Sequence, residues 1–275
     1  MRTLKAHLPD RARREARAWR RARIVREARA FRRRERARKT GAHAYTLRED
    51  PPARVFVRHD TLDTFVLEEC FGRRDSYRPP AAVEAWLRGR PALRILDLGA
   101  NIGLFGLLAL RRYPGSSVVG YEPEEANAEL HRRCIEANGL AARWSLERAF
   151  ASNGAGVELF RPGGSALARA AAPGEPSVEV PRVDVFGLPP ADFAKIDIEG
   201  AEWPILTDPR LASWAPGALV VECHGRDCPG PDPLATAGSA LGDAGYDVVD
   251  ARREQLGGGQ AAQGVIWALR RAARS

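Results

Sequence analysis

Nine consecutive residues, Ile95-Leu96-Asp97-Leu98-Gly99-Ala100-Asn101-Ile102-Gly103, constrain this chain more than any other stretch. An apolar strand ends in an acid and passes through two glycines into an apolar helix, Ile102 to Arg112. A strand, a tight turn and a helix in so few residues place the chain among the α/β proteins with parallel sheets. Gly99 lets the backbone turn tightly, Gly103 lets helix and ligand approach closely, and Asn101 is placed to cap the helix, whose N-terminal amides favour a carboxylate or a phosphate. The glycines at 99, 103 and 106 are spaced 4 and then 3 apart, which is not the dinucleotide fingerprint. Asp97 at the strand tip repels phosphates and attracts an ammonium or sulfonium group.

The pattern continues as βαβα. Ser117 to Tyr121 forms a second strand and Glu124 to Asn138 an amphipathic helix closed by Gly139. Residues 150 to 180 are rich in Gly, Ala and Pro, and they read as a hairpin (Val157 to Phe160, Ser177 to Val183) with a mobile loop set between sheet strands. Phe193 to Asp197, Ala218 to Cys223, Tyr246 to Val249 and Gly264 to Leu269 supply further strands, with helices at Ala201 to Leu206 and Leu234 to Ala244. The expected fold is α/β, a doubly wound Rossmann-like sheet of about seven strands over residues 93–275. An α+β segment at 41–92 leads into it, with a strand at Ala53 to Arg58 and helical spacing from Leu62 to Cys70.

Residues 1–40 hold 17 Lys and Arg against four Asp and Glu, while the rest of the 275-residue chain is mildly acidic. This Arg-rich stretch is expected as a helical or disordered extension. On a helix Ala12, Ala16 and Trp19 share one face and Ile24, Ala28 and Phe31 another, so no single apolar stripe suits a membrane surface. It is either a solvated extension or a contact for RNA, DNA or another polyanion. No run of 18 apolar residues and no secretory h-region occurs, and Cys70, Cys134, Cys223 and Cys228 lack paired spacing. A transmembrane segment is not expected, and reduced thiols suit a cytoplasmic protein. The oligomeric state is not legible.

The second strand ends in Gly120-Tyr121-Glu122-Pro123, which puts Glu122 23 residues after Gly99, where a carboxylate can accept hydrogen bonds from both ribose hydroxyls. An ammonium near Asp97 and an unphosphorylated ribose at Glu122 together describe S-adenosylmethionine. The plainer alternative is that both acids cap helices.

These residues resemble those of the FkbM-type methyltransferases, which depend on S-adenosylmethionine. The resemblance runs over about residues 50 to 270. It includes Arg58-His59-Asp60-Thr61-Leu62-Asp63 with Glu69, Phe71 and Tyr77, the Asp97 to Gly103 loop, Tyr121-Glu122-Pro123 and Val183-Asp184. Lys195-Ile196-Asp197-Ile198-Glu199-Gly200-Ala201-Glu202 is its most specific block, followed by Glu222-Cys223-His224. Val185-Phe186-Gly187 departs from the family's Leu-Asp-rich stretch. The resemblance implies O-methylation of a hydroxyl on a small metabolite, a sugar or a natural product of polyketide type, with N-methylation open. The cofactor side would comprise Asp97, Gly99, Ala100, Asn101, Gly103, Glu122 and Pro123.

On the acceptor side, Lys195, Asp197 and Glu199 alternate through a strand end, the edge where open α/β sheets bind ligands. Asp197 can orient an acceptor hydroxyl, or hold a divalent cation such as Mg²⁺ with Glu199 or Glu222. A salt bridge to Lys195 is the structural alternative. Glu222 and His224 alternate on the next strand, and a neutral His224 is the expected general base. Cys223, His224 and Cys228 lack the second pair a zinc site needs. Tyr77 and the loop at 161–176 are expected as lid and selectivity elements.

Two rivals remain. A nucleic-acid methyltransferase would use the same loop and the basic tail, but Asp197-Ile198-Glu199-Gly200 is not the Asn/Asp-Pro-Pro-aromatic turn that grips base amino groups. Leu188-Pro189-Pro190 precedes the strand, and no Pro-Cys dipeptide occurs. A non-catalytic binding protein is the other rival.

Overall fold

The computed structural model of the protein describes residues 10–72, 76–162, 169–172, 174–214, 216–254 and 263–272. It forms two compact units, Met1–Asp75 and Ser76–Ser275. Among the described residues no helix is long and apolar enough to cross a membrane.

In the first unit, helices α1 (Asp10–Ala22) and α2 (Ala28–Ala37) precede the antiparallel pair β1 (Ala42–Thr46) and β2 (Arg54–Arg58) and helix α3 (Asp63–Phe71). The first apolar face lies on α1, whereas of the second only Ala28 and Phe31 lie on α2 and Ile24 lies in the turn between the helices, where Val25 bridges to Leu47. Burial falls on Ala18, Ala22, Val25 and Phe31, while Trp19 is 48% exposed. The sequence sets residues 1–40 apart, whereas the contacts join the described residues 10–40 to the strands and helix of the same unit. Arg21 donates to both Glu35 and Glu68, and Glu35 also accepts from Thr64 and pairs with His59 at 2.9 Å.

The second unit opens with α4 (Ala81–Arg88) and continues through β3 (Arg94–Leu98), α5 (Leu104–Arg112), β4 (Ser117–Tyr121), α6 (Glu125–Ala137) and β5 (Trp144–Glu147). A small sheet comes next, made of β6 (Phe150–Ser152), β7 (Gly156–Arg161), β8 (Arg169–Ala170) and β9 (Val178–Asp184) in the order β6-β9-β7-β8. The expected hairpin is therefore part of a separate four-stranded sheet, whose inner face buries Phe150, Phe160 and Val180. Of the expected lid at 161–176, residues 163–168 and 173 lie outside the described residues.

The main sheet is completed by β10 (Phe193–Ile196), α7 (Glu202–Leu206), β11 (Ala218–His224), α8 (Pro233–Asp243), β12 (Tyr246–Glu254) and β13 (Gln263–Arg270). Its seven strands run β12-β13-β11-β10-β3-β4-β5. The five from β11 to β5 are parallel, and β13 returns antiparallel between β11 and β12. Every residue of β11 is buried, as expected of a strand covered on both faces. The chain moves outward from β3 in one direction and then returns to β10 on the other side. The order therefore switches between β3 and β10, and at such a point the C-terminal strand ends open a ligand crevice.

Candidate functional site

The switch point pairs Lys195 of β10 with Asp97 of β3 in register. Asp97 is fully buried, and neither of its oxygens accepts a well-formed hydrogen bond. The Lys195 ammonium stands 3.3 Å from Asp97 Oδ1 and 3.2 Å from Asp197 Oδ2, and donates to the Gly99 carbonyl at 3.0 Å. The cation that the sequence assigns to a ligand beside Asp97 is thus supplied by the chain itself. Burial pushes the Asp97 carboxyl up from its ordinary value. Burial also works against charge on Lys195, but Asp197 and Asp97 outweigh it and hold the ammonium above its usual range.

The turn after β3 is held from within. The amides of Gly99 and Ala100 both donate to the Tyr121 carbonyl, that of Asn101 to Glu122, that of Ile102 to the Asn101 side chain, and that of Gly103 to the Ala100 carbonyl. Asn101 therefore does not cap α5. It sits in the left-handed region and Gly103 is the residue before the helix. No amide of this turn is left unbonded for a phosphate.

The two glycines have protein partners too. A Cβ on Gly99 would lie 1.8 Å from the Asp197 carbonyl oxygen, so the missing side chain lets the two strand ends touch. A Cβ on Gly103 would lie 2.7 Å from the ring of His131, and one on Gly120 2.8 Å from it. The space at Gly103 that the sequence suggests for a ligand is filled by His131 of α6. Burial pushes this imidazole down to about 3, so it is neutral. Nothing in its local pattern marks it beyond glycines on two separate elements.

Glu122 accepts from Asn101 N at 2.8 Å on one oxygen, and from Glu124 N at 2.9 Å and Asn127 Nδ2 at 3.2 Å on the other. Burial raises it to about 7. A carboxylate has about four acceptor positions, so room remains for one further donor, which fits a single ribose hydroxyl and not two. Pro123, half-buried, leads from Glu122 into the turn before α6.

The acceptor side gathers beyond Lys195. Tyr77, expected at a lid, is buried, with its ring edge-on to Phe105 at 5.2 Å. Its hydroxyl lies 2.9 Å from Asp197 Oδ2 and 3.3 Å from Glu222 Oε2. Burial opposes ionisation of Asp197, but Lys195, His224 and the Tyr77 hydroxyl together hold it below the ordinary carboxylate value. Glu222 also accepts from Gln263 Nε2 at 3.1 Å. Gln263 lies on the antiparallel strand opposite His224, a pairing no local pattern announces.

His224 Nδ1 lies 3.1 Å from Glu202, and its Nε2 faces Glu199 at 3.7 Å and Glu222 at 3.8 Å. Burial opposes its charge, yet Glu202, Glu222 and Glu199 raise the imidazole to about 10. The neutral base expected from the sequence is an imidazolium at neutral pH. Burial brings Glu199 up to about 7, and its side chain is 31% exposed against 21% for Asp197. One donor atom from each of Asp197, Glu199 and His224 lies within 4.8 Å of the others. Glu222, expected as a third metal carboxylate, is not one of these three. Every carboxylate of the cluster faces a cation or a donor from the chain, so the cluster is an ion-pair network.

The chain matches the FkbM methyltransferase domain over residues 97–246, more than half its length. It is also similar to solved structures, all at low identity. P. horikoshii TYW2 in complex with MeSAdo is 12% identical, with 82% of this chain and 70% of that chain covered and a TM-score of 0.44. Precorrin-6y C5,15-methyltransferase from Geobacter metallireducens is 17% identical, with 69% and 86% covered and a TM-score of 0.42. Magnesium protoporphyrin IX methyltransferase from Synechocystis with bound SAM is 17% identical, with 69% and 77% covered and a TM-score of 0.41. No curated protein matches the chain.

Proposed function

The chain belongs to the FkbM family of S-adenosylmethionine-dependent methyltransferases, and from that premise we propose that it methylates a hydroxyl of a small-molecule acceptor, a sugar or natural-product metabolite. The observation that carries this reading is the cluster at the switch point. There Asp197, Glu199, Glu222 and His224 converge one lysine away from the cofactor turn. An amine attacks with its own lone pair, whereas a hydroxyl needs somewhere to send its proton.

S-adenosylmethionine, when bound, supplies an electrophilic methyl group on a sulfonium centre. Glu122 accepts a ribose hydroxyl in its remaining acceptor position. Asp197, kept ionised by Lys195 and Tyr77, presents a fixed negative charge at the strand end and orients the acceptor hydroxyl. Glu199, raised to about 7, is poised to accept the proton near neutral pH, a step typically worth ~10² to 10⁴-fold. The imidazolium of His224 faces it and favours its ionised form against the effect of burial. Most of the remaining acceleration comes from holding donor and acceptor in line.

The donor set does not suit Mg²⁺, which prefers six oxygens, because one of the three convergent groups is a ring nitrogen and the carboxylates already face Lys195 and His224. Turnover should therefore survive chelation. The deciding experiment gives the protein methyl-deuterated S-adenosylmethionine with a metabolite extract and locates the label by mass spectrometry and NMR. Label on oxygen is expected. Label on nitrogen, or a protein that does not bind S-adenosylhomocysteine, overturns the reading.

One observation favours nucleic acid as a second acceptor class. Exposed Trp19 carries the Arg23 guanidinium 4.7 Å from its ring, on a helix pair whose Arg14, Arg17, Arg29 and Arg33 are exposed. Salt-sensitive RNA binding that disappears when these arginines are replaced by glutamine would raise that reading.

A further inference from the structure

We infer that Glu202 is a positioning residue for the acceptor side, clamping the turn that carries Glu199 to the end of β11 and fixing the His224 ring with Nε2 toward Glu199 and Glu222. The inference rests on the proton-transfer reading above, in which Glu199, faced by the His224 imidazolium, receives the acceptor's proton.

Glu202 opens α7 and is completely buried. A carboxylate at the start of a helix ordinarily caps that helix's own amides, but this one reaches backwards. Its Oε1 accepts the His224 backbone amide at 2.7 Å and faces His224 Nδ1 at 3.1 Å, and its Oε2 accepts the Gly200 amide at 2.8 Å. One side chain thus ties three points together: a strand end, a turn and a ring. The next residue reinforces the tie, since the Trp203 indole donates to the carbonyls of His224 at 3.1 Å and Arg226 at 2.8 Å.

The turn needs this hold. Glu199 has φ +55° and Gly200 φ +100°, and a non-glycine residue stays in the left-handed region only where its surroundings impose it. The ring needs it as well. With Nδ1 committed to Glu202 as a proton donor, Nε2 is the only ring nitrogen left to face the cluster. A buried carboxylate behind a histidine orients the ring and stabilises its protonated form in the same way at other active sites.

The charged and titratable groups facing His224 are Glu202 from α7, Glu222 from its own strand, and Asp197 and Glu199 from the turn. Beyond these, Lys195 stands behind Asp197, Arg226 lies beside Glu199, and Tyr77 and Gln263 hold Glu222. Among the carboxylates, Glu202 has the shortest contact to the ring, so its loss should be felt there first.

The test uses Glu202→Gln in the full chain, which keeps the shape and removes the charge. The His224 ring, followed by NMR with ¹⁵N-labelled histidine, should titrate at least one pH unit lower than in the wild type. The alkaline limb of the kcat profile should move down by the same amount, with S-adenosylhomocysteine affinity unchanged within a few-fold. An unmoved titration together with an unmoved profile overturns the inference. A titration that moves while the profile stays put overturns the proton-transfer reading and leaves the clamp, so the two failures are told apart. If the variant does not fold, the wild type still decides: a downfield, slowly exchanging Nδ1 proton on His224 is expected, and a freely exchanging one overturns the assignment.

Discussion

The Tyr77 hydroxyl lies 2.9 Å from Asp197, 120 residues further along the chain, and is a donor to that carboxylate. Tyr77→Phe keeps the ring against Phe105 and removes one of the groups that hold Asp197 ionised. A hydrogen bond to a charged group is worth roughly 1.5–3 kcal/mol, so turnover should fall at least about tenfold. Steady-state kinetics alongside calorimetry with S-adenosylhomocysteine checks this, and cofactor affinity should stay within a few-fold.

Lys195 lies between two carboxylates, Asp97 and Asp197. Lys195→Met leaves the buried Asp97 and the partly exposed Asp197 without their common cation, and breaking a buried ion pair such as that of Lys195 with Asp97 typically costs about 3–5 kcal/mol. Urea unfolding of the purified variant should show a loss of that size. A stability equal to the wild type would mean the two acids are neutralised some other way.

Glu122→Ala should weaken S-adenosylhomocysteine binding by roughly 1–3 kcal/mol, the scale of lost hydrogen bonds to a charge. It should also lower the melting temperature, because the Asn101 and Glu124 amides that the carboxylate accepts lose their partner. Glu122→Gln should recover part of both. Calorimetry and thermal unfolding separate the two effects.

How far the sequence carried depends on where each residue's partner lies. Strands such as Ser117–Tyr121 and helices such as Glu125–Ala137 were legible because their apolar periodicity is local. The strand, turn and helix around Asp97 to Gly103 were legible for the same reason, and so was the strand that carries Lys195, which ends before Asp197 and Glu199. What each of these groups does was not legible, because its partner comes from a distant segment: Lys195 for Asp97, His131 for Gly103, Glu202 for His224. The protonation state of His224 depends on Glu222 of its own strand and on Glu202 and Glu199 from an earlier segment, so its neighbours in sequence supply only one of the three carboxylates. The two basic helices read as an extension because the buried residues on them and on the turn between them are two alanines, one valine and one phenylalanine, too little apolar surface to stand out among the arginines.

The pH dependence of folding has a definite sign at His224. Its folded value is raised from 6.5 to about 10, so the stability it contributes is complete below pH 6.5 and is lost as the pH rises towards 10. His224→Gln should therefore flatten the decline in unfolding free energy between pH 6.5 and 10. Denaturant midpoints across that window check it, and parallel curves for the two proteins would contradict the imidazolium assignment.

In the first unit, Phe31 is fully buried with its ring 4.7 Å from His59 and 5.0 Å from Tyr45. Phe31→Ala should destabilise that unit by about 3–5 kcal/mol. Limited proteolysis should then cut between residues 23 and 60 under conditions where the wild type is protected. An unchanged cleavage pattern would show that the basic helices are not held by this core.

The contact between Gly99 and the Asp197 carbonyl leaves no space for even a methyl group between the turn after β3 and the end of β10. These two strand ends therefore work as a fixed gauge: neither can be reset without moving the other. A change of acceptor in such a scaffold has to be made in parts that are free of the gauge, such as the small β6-β9-β7-β8 sheet, while the spacing between the two strand ends is inherited unchanged.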